Sequence, residues 1–220
     1  KRTLTAATVA LLGFGVTATM AQPKAPRVVP YKFFDEQYRP GGFDYAYGGK
    51  SKGITITKDG GYKSKAALNI KLDPSEYSGA SVCLYNETFD LNKFMLDSKL
   101  EFMIKGKKGG EAVKVGLLDE EVSDGKKTQV VLPMNKYIQG GAVTTDWKKV
   151  SIPLVDFPDR GLYWDNTRKS EFPARIDWDK IAEIRFSIDK SGASDFEIWV
   201  DNIEIVKGNK KTKPKPKIVY

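Results

Sequence analysis

The sequence predicts an all-β domain, a sandwich of two antiparallel sheets with short helical turns only. Three observations carry this. Short apolar stretches alternate with polar residues, so each has one face for a core and one for water. Clusters of Gly, Asp, Asn and Pro separate them as turns would. No stretch beyond about ten residues keeps a 3.6-residue apolar period, the least a globular helix usually needs. With 220 residues and 40% hydrophobic content, the chain is long enough to bury one sizeable core.

In chain order, Lys1 and Arg2 precede an uncharged run, residues 3–21, that ends in Thr19-Met20-Ala21. Positive residues, an apolar stretch and small residues in that order outline a secretory signal peptide cleaved after Ala21. Its strongly apolar part, residues 6–16, is shorter than the roughly 20 residues of a membrane anchor and holds two glycines. No later stretch is long and apolar enough to span a bilayer. The expectation is an exported bacterial protein, periplasmic, cell-surface or extracellular, and not an integral membrane protein. Residues 22–30 form a proline-containing leader, residues 31–206 the sandwich domain, and residues 207–220 a flexible tail rich in Lys and Pro.

Within the domain the period is two. Ala66, Leu68, Ile70 and Leu72 share a face opposite Asn69 and Lys71. Leu100, Phe102 and Ile104 oppose Lys99, Glu101 and Lys105, and Val113, Val115 and Leu117 oppose Lys114. Val150, Ile152 and Leu154 alternate with Lys149 and Ser151, and Ile184, Phe186 and Ile188 with Glu183, Arg185 and Ser187. The best helical candidate is one turn over residues 177–182. In the last strand Phe196, Ile198 and Val200 share a face, but Ile203 and Ile205 have changed parity across Asp201-Asn202. Either a β-bulge returns both sets to the core, or the strand is buried on both faces.

Composition excludes several functions. The formal charge of +8 resides at the ends: without Lys1, Arg2 and the six lysines between Lys207 and Lys217, basic and acidic residues balance. A nucleic-acid partner, which needs a basic surface, is not expected. There is no histidine, the commonest general base and zinc ligand, and the single Cys83 forms no intramolecular disulfide. Cys83 reads as a small packing residue. Asn86-Glu87-Thr88 matches a glycosylation acceptor, of little meaning in a bacterial protein. Glycoside cleavage would need paired carboxylates, and the Glu-x-Asp-x-x-Glu strand of sandwich-fold glucanases is absent, so no enzyme is expected.

Aromatic residues exceed what a core requires. Tyr45 and Tyr47 lie in a Gly-rich segment, Tyr85 points away from the core, Tyr137 follows Pro133, and Tyr163-Trp164 lies in a polar stretch. Sugars present an apolar C–H face that stacks on such rings while edge polar groups bind their hydroxyls.

Residues 147–157, 176–188 and 196–205 resemble the C-terminal half of galactose-binding-like β-jelly rolls, and of the family-eleven carbohydrate-binding modules above all. The shared features are a Trp strand ending in Ile-Pro-Leu and Asp-Phe, an Asp-Trp turn, and a final strand with Asp-Asn-Ile. The resemblance implies a jelly roll whose tyrosine-lined concave face holds a β-glucan, with structural Ca2+ away from the ligand. For calcium it implies Asp201 together with Asp35 and Glu36 at the domain start. For the ligand it places Tyr85 and Tyr137 on concave-face strands, with Tyr45, Tyr47, Tyr163 and Trp164 contributing from loops. The expected function is a secreted, non-catalytic protein that binds a β-glucan-like polysaccharide. The alternative is an exported structural subunit whose jelly roll contacts protein partners in a cell-envelope or surface assembly.

Overall fold

Each alternating stretch forms a strand in the computed structural model, which describes residues 29–49, 53–84, 88–120, 127–191 and 195–208. The signal-peptide residues, Tyr85, the Asn86 acceptor and the tail beyond residue 208 lie outside the described residues. In chain order the strands are β1 (Tyr31–Asp35), β2 (Gln37–Tyr38), β3 (Gly42–Tyr47), β4 (Gly53–Thr57), β5 (Ala67–Leu72), β6 (Ser78–Leu84) and β7 (Ser98–Gly106). They continue with β8 (Lys114–Asp119), β9 (Thr128–Pro133), β10 (Lys148–Pro153), β11 (Arg160–Asp165), β12 (Ser170–Arg175), β13 (Ile181–Ile188) and β14 (Phe196–Lys207). Helical structure among the described residues is limited to 3-10 turns at Asn92–Phe94, Asn135–Tyr137 and Leu154–Asp156. The helical turn expected over residues 177–182 is instead one hydrogen-bonded turn, in which the Lys180 N–H donates to the Asp177 carbonyl, before β13 begins.

Two antiparallel seven-stranded sheets face each other, the β-sandwich that the alternation requires. In the first, the order is β10-β7-β14-β1-β2, with β5 also on β14 and β4 on β5. In the second it is β12-β11-β9-β8-β13-β6-β3. The inward residues of both sheets form one core, within which Phe102 of β7 meets Phe186 of β13 edge-on at 5.3 Å between ring centres.

The parity change in β14 is a β-bulge. Pairing with β7 jumps from Asp201 opposite Met103 to Glu204 opposite Glu101, and Asn202 takes the left-handed φ of 52°. Val200 and Ile203 are therefore both fully buried in the core. The bulge also buries Asp201, whose Oδ2 accepts from the Tyr62 N–H at 2.7 Å and the Ser64 hydroxyl at 2.8 Å. Its Oδ1 accepts from the Asn202 N–H at 2.7 Å.

Candidate functional site

The second sheet turns one face to the core and the other outward. Pairing aligns the outward residues in rows across it. Phe43 stands opposite Cys83, Cys83 opposite Glu183, Glu183 opposite Leu118, Leu118 opposite Gln129 and Gln129 opposite Leu162. The adjacent row runs Tyr45, Ser81, Arg185, Gly116 and Val131. The middle strands carry no rings on this face and the flanks carry large ones, so the face is a trough. Its volume is about 660 Å³.

On one flank β3 supplies Phe43, Tyr45 and Tyr47, with Tyr77 beside them. The other flank has Leu162 and Trp164 of β11. Among the described residues, five of the seven large exposed hydrophobic side chains line this trough, Tyr45 at 48% and Trp164 at 49% exposure foremost. Tyr45 and Tyr47 lie nearly parallel, centroids 6.1 Å apart, and Tyr47 is 5.8 Å from Tyr77. The Trp164 indole N–H donates to Asn166 Oδ1 at 3.1 Å, which fixes the ring plane.

Gly79 is what lets Tyr47 lie down on β6. A Cβ at Gly79 would stand 2.6 Å from the Tyr47 hydroxyl and 2.8 Å from two ring carbons. Arg185 cross-links the polar groups of the floor. Arg185 donates from Nε to Ser81 Oγ at 3.0 Å, from Nη1 to Gln129 Oε1 at 2.8 Å and from Nη2 to Glu183 Oε2 at 3.1 Å. Its guanidinium also lies 4.7 Å from the Tyr47 ring centre, in cation–π range. Lys127 donates to Glu183 Oε1 at 2.7 Å. Burial pushes the Glu183 carboxyl up, but the Arg185 charge, the Lys127 hydrogen bond and charge, and Ser81 bring it below the usual value. Burial pushes the Cys83 thiol up to about 12, which leaves it a packing residue of the floor.

The trough thus gathers Tyr45, Tyr47 and Trp164, three of the rings singled out from sequence, and places them on strands rather than loops. Tyr163 points to the other side of the β11–β12 hairpin, where it stacks on Phe172 at 5.7 Å. Tyr137 stands in the 3-10 turn between β9 and β10 and packs against the core, not on a concave-face strand. Tyr85 lies outside the described residues. Phe43, Tyr77, Leu162, Gln129, Glu183 and Arg185 were not singled out. Their signal was indirect: a strand of small residues, Ser78-Gly79-Ala80-Ser81, is buried along its whole length, so large side chains must lie over its outward face.

The calcium set behaves differently. Asp201 and Glu36 do converge, but on a loop: Asp201 holds Tyr62 and Ser64, and Glu36 Oε1 accepts from the Lys65 N–H at 3.1 Å. Asp35 is ion-paired with Lys32. Both Asp201 oxygens already accept from protein donors, and no group of three or more His, Cys, Asp or Glu among the described residues is placed to hold a metal. As arranged, these residues do not fit a calcium ion.

Residues 30–207 match the model of carbohydrate binding domain 30. The chain belongs to that family. Among solved structures it is similar to the family 30 carbohydrate-binding module of a cellulosomal cellulase of Clostridium thermocellum, at 23% identity and a TM-score of 0.63. That alignment covers 83% of this chain and 100% of the other. A family 11 carbohydrate-binding module from Clostridium thermocellum, in complex with a β-1,3-1,4-mixed-linked tetrasaccharide, shares 15% identity at a TM-score of 0.56. It covers 80% of this chain, which covers 95% of it. These two likenesses are of fold, the jelly roll that the C-terminal motifs implied. A search of curated proteins returns no match. The family 30 domain is a carbohydrate-binding module.

Proposed function

We propose that this domain binds a neutral β-glucan chain in the trough of the second sheet, without cleaving it, as part of an exported protein. The observation that carries this is the facing of exposed rings across one polar floor, Tyr45 and Tyr77 on one flank and Trp164 on the other. Stacked rings take the C–H faces of pyranose units, and Gln129, Asn166 and Glu171 offer hydrogen bonds to hydroxyls at their edges. The charged groups lining the trough are Lys127 and Arg185 against Glu171 and Glu183, a balance that suits an uncharged chain. A glycosidase needs one carboxyl kept protonated near neutral pH. Glu183 is held ionised by Arg185 and Lys127, which argues against that role. The signal-peptide pattern of the leading residues supports export.

The test is affinity electrophoresis through gels containing mixed-linkage β-glucan, xylan or mannan. Retardation by the glucan, and its loss in Tyr45→Ala and Trp164→Ala, is expected, each substitution costing about 1–3 kcal/mol as ring anchors do. Wild-type migration unchanged by every glycan would overturn the reading.

A further inference from the structure

The β11 flank of the trough carries an unbalanced charge. Arg160, Leu162 and Trp164 are alternate residues of β11 and point to the same side. They line together a second hollow, about 620 Å³, that shares Tyr77, Gln129 and Glu171 with the trough. Register with β12 sets Arg160 directly opposite Arg175, so two guanidinium side chains stand side by side on this face, both exposed. Like charges directly opposite destabilise a sheet. The other described arginines are engaged, Arg39 on the Tyr31 ring, Arg168 on the Phe172 ring and Arg185 on Glu183, whereas Arg160 and Arg175 have no ion-pair or ring partner among the described residues. The neighbouring acids are already taken. Asp159 Oδ1 accepts from the Trp178 indole N–H at 3.1 Å, Asp177 pairs with Lys180 at 3.3 Å and Asp189 with Lys114 at 2.5 Å.

Place and chemistry together define what this pair can hold. A glycan crossing the sheet from Tyr45 leaves over the β11–β12 hairpin at Leu162, with Trp164 on one side of its path and the arginines on the other. Arg160 and Arg175 lie two residues along their strands from Leu162 and Pro173, about 7 Å to the side of that path. That is the reach of a substituent on the chain, not of the chain itself. Guanidinium groups bind carboxylates through paired N–H···O bonds, a geometry that a neutral hydroxyl cannot match.

We propose that Arg160 and Arg175 form a side subsite for a carboxylate carried on a substituent of the bound glycan. This rests on the glucan-binding reading and narrows its substrate class to a neutral main chain bearing acidic substituents of the uronic-acid kind. The trough, whose own charges balance, holds the main chain; the two arginines select the charged decoration beside it.

The experiment is calorimetry with three forms of one mixed-linkage β-glucan: unmodified, lightly carboxymethylated, and hydroxyethylated to the same extent, which keeps a substituent of like size and removes its charge. Wild type should bind the carboxymethyl form about three- to ten-fold more tightly than the hydroxyethyl form, the size of two exposed charge pairs. The double variant Arg160→Gln/Arg175→Gln should lose that preference and keep its affinity for unmodified glucan. Arg160→Lys/Arg175→Lys should keep only part of the preference, because an ammonium lacks the planar fork. Lys58→Gln/Lys65→Gln removes the same charge from the β4–β5 connection of the first sheet and should retain the preference at physiological ionic strength, where distant charges are screened. All four residues are exposed, so undiminished melting temperatures are expected and show that the variants fold. Equal affinity of the wild type for the two substituted forms refutes the subsite, as does a preference that survives in the Gln variant or falls equally in the lysine control. An equal loss for unmodified and carboxymethyl glucan in the Gln variant also refutes it, since the arginines would then serve the main chain. A wild type that binds no form of the glucan overturns the glucan reading, and the subsite with it.

Discussion

Gly79→Ala tests the packing beneath the trough most directly. The glycine lies in an ordinary strand, and the space above it is filled by a neighbour. A Cβ there would meet the Tyr47 hydroxyl at 2.6 Å and two ring carbons at 2.8 Å. The ring must retreat by about 0.7 Å to regain ordinary contact, which also draws it from the Arg185 guanidinium now 4.7 Å from its centre. Overpacking of this kind costs about 1–3 kcal/mol, and the partial exposure of Tyr47 places the cost toward the lower end, since the ring can tilt into the trough. At 2–4 °C per kcal/mol for a domain of this size, about 3–6 °C of melting temperature should be lost. The displaced ring also narrows the trough, so glucan affinity should fall several-fold. The assay is a double-mutant cycle with Tyr47→Ala, read by thermal unfolding and by calorimetry. In the Tyr47→Ala background, Gly79→Ala should have almost no effect on either. An equal effect of Gly79→Ala in both backgrounds would refute the reasoning.

Three further outcomes follow from the floor and the bulge. Arg185→Met removes three hydrogen bonds and leaves Glu183 nearly buried with Lys127 as its remaining cation partner, so urea unfolding should show a loss of about 3 kcal/mol. Because the folded-state pKa of Glu183 lies below the usual 4.5, its contribution is complete above that pH and is lost as pH falls through the lower folded value. The stability gap between wild type and Glu183→Gln should thus be constant from neutral pH to about 5 and shrink below 4.5; a gap that widens on acidification would contradict the assigned direction. Asp201→Ala takes the acceptor from the Tyr62 and Asn202 N–H groups, while the Ser64 hydroxyl keeps the Ala66 carbonyl at 3.1 Å, and should cost about 3 kcal/mol, whereas a chelator should leave the wild-type melting temperature unchanged. A fall of several degrees on chelation would restore calcium to this loop.

The architecture was legible because a half-buried strand writes its orientation into the chain with period two. Leu100-Glu101-Phe102 and Ile184-Arg185-Phe186 needed only their neighbours to reveal which side met the core. Even the bulge was readable as one of two alternatives, since a parity change between Val200 and Ile203 admits few backbone solutions; pairing with β7 and the left-handed Asn202 decided between them. The rings of the site were legible as an excess over core needs, but their grouping was not. Tyr163 and Trp164 are adjacent in sequence and lie on opposite sides of a hairpin, which period two dictates once the segment is a strand instead of a loop.

Local sequence therefore determined the sandwich, its core-facing residues and its supply of rings, because these depend on contacts between a residue and the two sides of its own strand. Tertiary structure alone decided that Phe43, Cys83, Glu183, Leu118, Gln129 and Leu162 form one row, since that row joins six strands from across the domain. It also turned Asp201 and Glu36 from prospective cation ligands into clamps on one loop, because the donors that reach them come from Tyr62, Ser64 and Lys65, far away in sequence. Strand register is set by long-range pairing, and a binding surface made of register is decided only when the sheet closes.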